Sequence, residues 1–248
     1  MCTATWWSGA NGYELFFNRD ELKTRDLGLP PTQQLVNGVR FLAPKDPTGG
    51  GTWLLVNEFG VGICLINQYP DNPRSPAPQR ISRGQLVLNL ADCPDADAVR
   101  QRISTTALSC YEAFLLIAVD PVRPAQTFTW DTRTMSMQTV TQAQPFTSSS
   151  HLPDEVLRSR RRRFGDLVRL RGGDPTPDDL RAFHEHYAPA TAAHSVFMSR
   201  SDASTVSLTH VVVGQDTITL EYAPRIPGAF QFDRARRLQL PRRQACVA

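Results

Sequence analysis

Lysine is nearly absent from this chain. Lys23 and Lys45 are the two present, so 25 of the 27 basic side chains are arginines. Against 24 acidic residues the formal charge is only +3, too small to argue for a nucleic-acid partner, and the arginine excess reads as a coding bias rather than a binding surface. Long apolar runs are missing too: no stretch approaches the roughly 20 residues that cross a bilayer. The N-terminus has no basic region followed by an apolar one, so no secretory signal is expected and the expected location is the cytoplasm. The five cysteines (Cys2, Cys64, Cys93, Cys110 and Cys246) lie far apart without a C-x-x-C, which excludes a zinc ribbon or a thioredoxin-like pair. No H-E-x-x-H occurs, and His184 and His186 point apart on a helix, so no metal site is expected.

What is present is an ordinary globular composition, 41% apolar and 21% charged over 248 residues, read as one domain spanning 1–248. Thr3–Ser8 and Tyr13–Phe17, joined across Asn11-Gly12, read as a β-hairpin. Residues 52–56 and 61–66 form a second. Leu27 to Asp46 reads as irregular with a short strand at 39–42, and 70–79, with four prolines, as a loop. Helices are expected at 82–90, 95–103, 153–170 and 178–187, and strands at 114–119, 127–130, 136–139, 195–199, 205–213 and 217–222. Hairpins at both ends with helices between them favour an α+β layered fold with mainly antiparallel sheet.

Cys2 stands apart from the other thiols. Loss of Met1 would place a thiol and a free α-amine on one residue. The amine's reference pKa of about 7.7–8.0 lets it act as a general base near neutrality. A two-residue loop at Asn11-Gly12 pairs Cys2 with Glu21 and puts Arg19 on the same face; a slip of one pairs Cys2 with Asp20. Either register delivers Asn18-Arg19-Asp20-Glu21 beside the thiol. Arginine there stabilises a thiolate or an oxyanion, and a carboxylate can hold the ammonium.

Met1-Cys2-Thr3 followed by Asn18-Arg19-Asp20-Glu21 resembles the NRDE family, whose eukaryotic members are called transport and Golgi organisation protein 2. The resemblance continues through Gly49-Gly-Gly-Thr-Trp53, Asn57-Glu-Phe-Gly60, Leu65-Ile-Asn67, Ser82-Arg-Gly84 and 198–207. It implies the fold of N-terminal nucleophile hydrolases, a four-layer αββα sandwich with two mainly antiparallel sheets. It also implies a hydrolase of amide or related acyl bonds. In that reading Cys2 attacks, Arg19 and Asp20 flank it, Asn67 donates to the oxyanion and Arg200 lines the wall or orients the nucleophile. Asn18, Glu21, Trp53 and Ser149 are the accompanying binding residues. Ser149 stands where relatives often carry Asn in a Ser-Asn-Ser segment, and loss of an oxyanion donor costs on the order of 10²–10³ in rate.

The same family resemblance admits a second reading, a non-catalytic carrier of haem or of acyl-lipid or acyl-coenzyme A ligands. No cofactor is required by the first reading; haem is a possible ligand in the second. Gly49-Gly50-Gly51 lacks the Lys-Ser/Thr of a P-loop and marks close backbone approach, with Asn67 pairing near Gly50. Arg158 and Arg160–Arg163 form a solvated helix face, and Cys93-Pro94 is a turn before a helix.

Overall fold

The computed structural model describes residues 1–71 and 80–243. Most of the expected loop at 70–79, and Cys246, lie outside the described residues. Thirteen strands and four α-helices are described, the strands forming two antiparallel sheets. The first sheet runs, in spatial order, β10 (Phe146–Ser148), β1 (Cys2–Gly9), β2 (Gly12–Leu22), β11 (Ala203–Val213), β12 (Thr217–Pro224) and β13 (Arg236–Pro241). The second runs in chain order from β3 (Leu29–Val36) through β4 (Val39–Lys45), β5 (Leu54–Asn57), β6 (Gly62–Asn67), β7 (Phe114–Val119), β8 (Ala125–Trp130) to β9 (Met135–Val140).

Alternation along the strands explains the layers. Ala4, Leu15, Phe17 and Val211 from the first sheet meet Leu54, Val56, Ile66 and Ile117 from the second in a shared core. The residues between them in sequence face outward. Phe16 and Leu208 pack under α3 (Pro153–Arg171) and α4 (Pro177–His184). Ile63, Leu65 and Leu116 pack under α1 (Arg83–Leu88) and α2 (Ala96–Thr105). Helices thus cover both outer faces, giving the αββα sandwich. The helix ends carry the expected signals: Asp95 caps α2 through the Ala98 N–H, a Thr176–Asp179 capping box opens α4, and Gly172 in the left-handed region closes α3.

Four local expectations are corrected. The first hairpin pairs Gly9 with Gly12 and hence Cys2 with Arg19, not with Glu21 or Asp20. Gly12 belongs to β2 rather than to the turn: a Cβ there would sit 1.8 Å from the Val213 carbonyl oxygen, so close contact with β11 fixes the register. Residues 29–45 are a full hairpin rather than irregular chain, turning at Asn37 and Gly38, both at positive φ, as a type I′ turn requires. The expected strand at 195–199 is a turn segment with one isolated bridge, Ser199 to Ser204. In the second hairpin Leu54 pairs with Cys64, one residue from the expected register.

His184, at the end of α4, is fully buried. Its ring bonds Thr5 Oγ1 at 2.9 Å and Asn18 Oδ1 at 3.0 Å. Burial, aided by Arg160, His210 and Arg181, pushes its pKa down to about 3. The unfolded chain titrates near 6.5 and takes up the proton first, so stability is retained above pH 6.5 and falls as pH drops toward 3. Between pH 6.5 and 4.5 this group alone is expected to cost about 2–3 kcal/mol. Urea unfolding at the two pH values measures the loss, and His184→Gln is expected to remove most of that pH dependence.

Candidate active site

Cys2 opens β1 between β2 and β10, facing Arg19 on one side and Ser148 on the other. It is 7% exposed and forms part of the inter-sheet core. A cavity of about 310 Å³ lies against it, walled by Arg19, Asp20, Glu21, Trp53 and Asn67 among others. Six of the expected site residues are therefore brought together. Arg19, 5% exposed at its side chain, donates to Glu21 Oε2 at 3.0 Å and lies over the Trp53 ring at 4.3 Å. The ring and the carboxylate hold the guanidinium in place on the strand that pairs with Cys2. Asn67 ends β6, where its side chain hydrogen bonds Tyr69.

Asp20 lines the cavity but sends its carboxylate to the helix side of the sheet. Its Oδ2 lies 3.3 Å from Arg160 Nη2 and its Oδ1 accepts from Thr205 Oγ1 at 2.6 Å. Arg160 Nη1 also donates to Thr3 and Thr147 hydroxyls. Arg160 is 2% exposed, which corrects its assignment to a solvated helix face; Arg158, Arg161, Arg162 and Arg163 are exposed, as read. Sequence reasoning also passed over Arg83, which lines the cavity and donates to the Ala113 carbonyl at 2.8 Å. Its signal was the Ser82-Arg-Gly84 segment.

Three expected residues sit elsewhere. Asn18 faces the helices, donating to the carbonyls of His184 at 2.8 Å and Val196 at 3.1 Å, so it ties β2 to α4 rather than lining the cavity. Ser149 and Arg200 gather around Met1: the Ser149 hydroxyl and Arg200 Nη1 lie 3.4 and 3.3 Å from the Met1 sulfur. The glycine run does provide close approach, since a Cβ on Gly51 would lie 2.2 Å from the Gly84 carbonyl carbon. That contact seats Arg83 against the cavity. Cys93 is fully buried, its carbonyl accepting from Asn57 at 2.7 Å.

Burial pushes the Cys2 thiol pKa up, and the Asp20 charge adds to this. The Met1 ammonium, the Asp20 backbone amide and Arg19 pull it partly back. The thiol is thus protonated at neutral pH and needs a base to become a nucleophile. Among the described residues no histidine lines the cavity, so the usual thiol–imidazole pairing has no candidate.

Solved structures of three hydrolases share this architecture. An N-acylethanolamine-hydrolyzing acid amidase ortholog from Caenorhabditis elegans aligns with a TM-score of 0.61 at 9% identity, covering 86% of this chain and 92% of that one. Penicillin V acylase from Agrobacterium tumefaciens gives 0.55 at 10% identity, over 90% and 83%. A mutant of conjugated bile acid hydrolase from Clostridium perfringens gives 0.54 at 11% identity, over 94% and 91%. At such identity the likeness is one of fold. No curated protein matches the chain in sequence. The family described as Transport and Golgi organisation 2 matches residues 1–200, agreeing with the motifs from Met1-Cys2 to the segment at 198–207. The chain belongs to that family, on the fold of the N-terminal nucleophile hydrolases.

Proposed function

We propose that this protein is an N-terminal cysteine hydrolase of an amide or related acyl bond. The observation that carries the reading is Cys2 itself: a neutral, buried thiol at the edge of a polar cavity, opposite Arg19, with its own prospective amine as the nearest base. Removal of Met1 frees that amine. The amine takes the thiol proton as sulfur bonds to the substrate carbonyl carbon. Asn67 and backbone N–H groups hold the oxyanion, and Arg19 stabilises negative charge at sulfur. As the C–N bond breaks, the Cys2 ammonium returns a proton to the departing nitrogen. Water then attacks the thioester, giving the carboxylic acid and the free thiol. Asp20, clamped by Arg160, keeps the strand end in register.

The test is a panel of amides, lactones and thioesters presented to protein whose intact mass shows Met1 removed. Hydrolysis of at least one class is expected, with kcat/KM rising with pH through the amine's range of about 7.7–8.0. Hydrolysis of none would leave the carrier reading, with haem or an acyl-coenzyme A as ligand, as the one to pursue.

A further inference from the structure

Met1 does not trail into solvent. It extends β1, its amine donating to the Asp20 carbonyl at 3.3 Å and its carbonyl accepting from the Asp20 N–H at 3.0 Å. Its side chain packs against Met198 and Ala203. Three donors approach its sulfur: Arg200 Nη1 at 3.3 Å, Ser149 Oγ at 3.4 Å and Ser150 Oγ at 3.5 Å. The single Ser149 hydroxyl proton has a better acceptor in the His151 carbonyl at 2.5 Å. Arg200 Nη1 is left facing a thioether, a weak acceptor, whereas Ser150 is an exposed residue that solvent also reaches.

Arg200 is otherwise fixed. Its Nε and Nη2 donate to Asp202 at 2.9 and 2.8 Å, and its carbonyl accepts from Lys23 Nζ. The side chain is 8% exposed. Among the described residues, a cationic N–H group is therefore held rigidly, more than nine-tenths buried, and served only by sulfur. That is poor use of a guanidinium unless another acceptor takes the place of the thioether.

Chemistry says where such an acceptor would come from. The Cys2 amine must reach the departing nitrogen to protonate it, and Met1 is bonded to that same amine. The space of the Met1 side chain adjoins the leaving group and opens in the same cleavage that frees the amine. Resting on the hydrolase reading above, we infer that the pocket filled by the Met1 side chain receives the substrate's leaving amine, and that this amine carries a carboxylate bound by Arg200 Nη1 and Ser150 Oγ. Met198 and Ala203 take its short carbon stem. The substrates are then N-acyl amino acids rather than N-acyl amines with neutral tails, and protein retaining Met1 is blocked by its own first residue.

The test uses Met1-free protein and two amines of similar size, β-alanine and 3-amino-1-propanol, with their N-decanoyl amides. β-Alanine is expected to protect Cys2 from iodoacetamide at concentrations about ten- to a hundredfold below those needed for 3-amino-1-propanol, the range of one charge-assisted hydrogen bond. Arg200→Leu is expected to bring that ratio to within about threefold of one. The kcat/KM ratio of the two amides is expected to follow, and the ratio is read because Arg200→Leu also changes absolute rates. Equal protection by the two amines, or a preference that survives Arg200→Leu, overturns the inference. Selective protection without turnover of any amide supports the site and contradicts the hydrolase reading; turnover without selectivity does the reverse.

Discussion

Alanine at Cys2 is expected to abolish hydrolysis, lowering kcat/KM by on the order of 10⁴–10⁶, since the nucleophile and its bonded amine act as one unit. The fold should survive. Cys2 contributes one small side chain to a core whose mass lies in Phe17, Leu54, Ile66 and Ile117, and replacing a thiol by a methyl leaves only a small cavity. Far-UV circular dichroism and the urea midpoint separate the two effects: an unchanged midpoint with lost activity is the expected pair. Cys64 is the informative control. It is fully buried in the same core, and burial pushes its thiol well up, so Cys64→Ala should lower stability modestly and leave the pH dependence of the rate in place.

Arg160→Met is expected to cost about 3–5 kcal/mol of stability, the usual penalty for leaving a buried charge without its partner. Both side chains of the Asp20–Arg160 pair are essentially inaccessible, at 0% and 1% exposure. Met fills much of the arginine stem's volume, so the loss reads the charge rather than a void. The hydroxyls of Thr3 and Thr147 lose their donor as well but still bond one another at 2.9 Å. Adding Asp20→Asn to Arg160→Met should recover part of the loss, because the buried charge is then gone from both sides. Urea unfolding of the two single variants and the double variant measures the coupling. A loss under about 1 kcal/mol for Arg160→Met would mean that the pair is solvated in solution.

These two variants mark what a linear reading could and could not reach. The layers followed from alternation: Ala4, Leu15 and Phe17 facing one way and Phe16 the other is a period of two, visible without coordinates. Cys2 and Arg19 were legible as neighbours, although their pairing was not, because register depends on where Gly12 meets Val213 on a strand nearly 200 residues away. The hairpin at 29–45 was legible and passed over; Asn37-Gly38 is the same turn signal used for the first hairpin. Arg160 was hidden by its neighbours. Five arginines in six positions look alike in composition, yet Val156, Arg160 and Phe164 recur at four-residue spacing and are the buried stripe of α3. Asn18 misled for the opposite reason. It lies inside the motif but alternates with Arg19, and so faces the helices.

The family motifs also mix two jobs that sequence cannot separate. Gly51 and Gly84 serve each other's backbone, and Asn57 spends its amide on the Ala91 and Cys93 carbonyls. These residues position the wall in which Asn67, Trp53 and Arg83 sit. In the proposed mechanism, chemistry falls on fewer positions than the motifs occupy.

In the proposed mechanism a freed Cys2 amine activates its own thiol. That step is tested most directly by preparing one protein in two forms, one beginning at Cys2 and one retaining Met1, each confirmed by intact mass, and measuring amide hydrolysis by both across pH 6 to 9. Turnover is expected from the first form alone, rising through the amine's titration. Equal turnover by the form that keeps Met1 would contradict that mechanism.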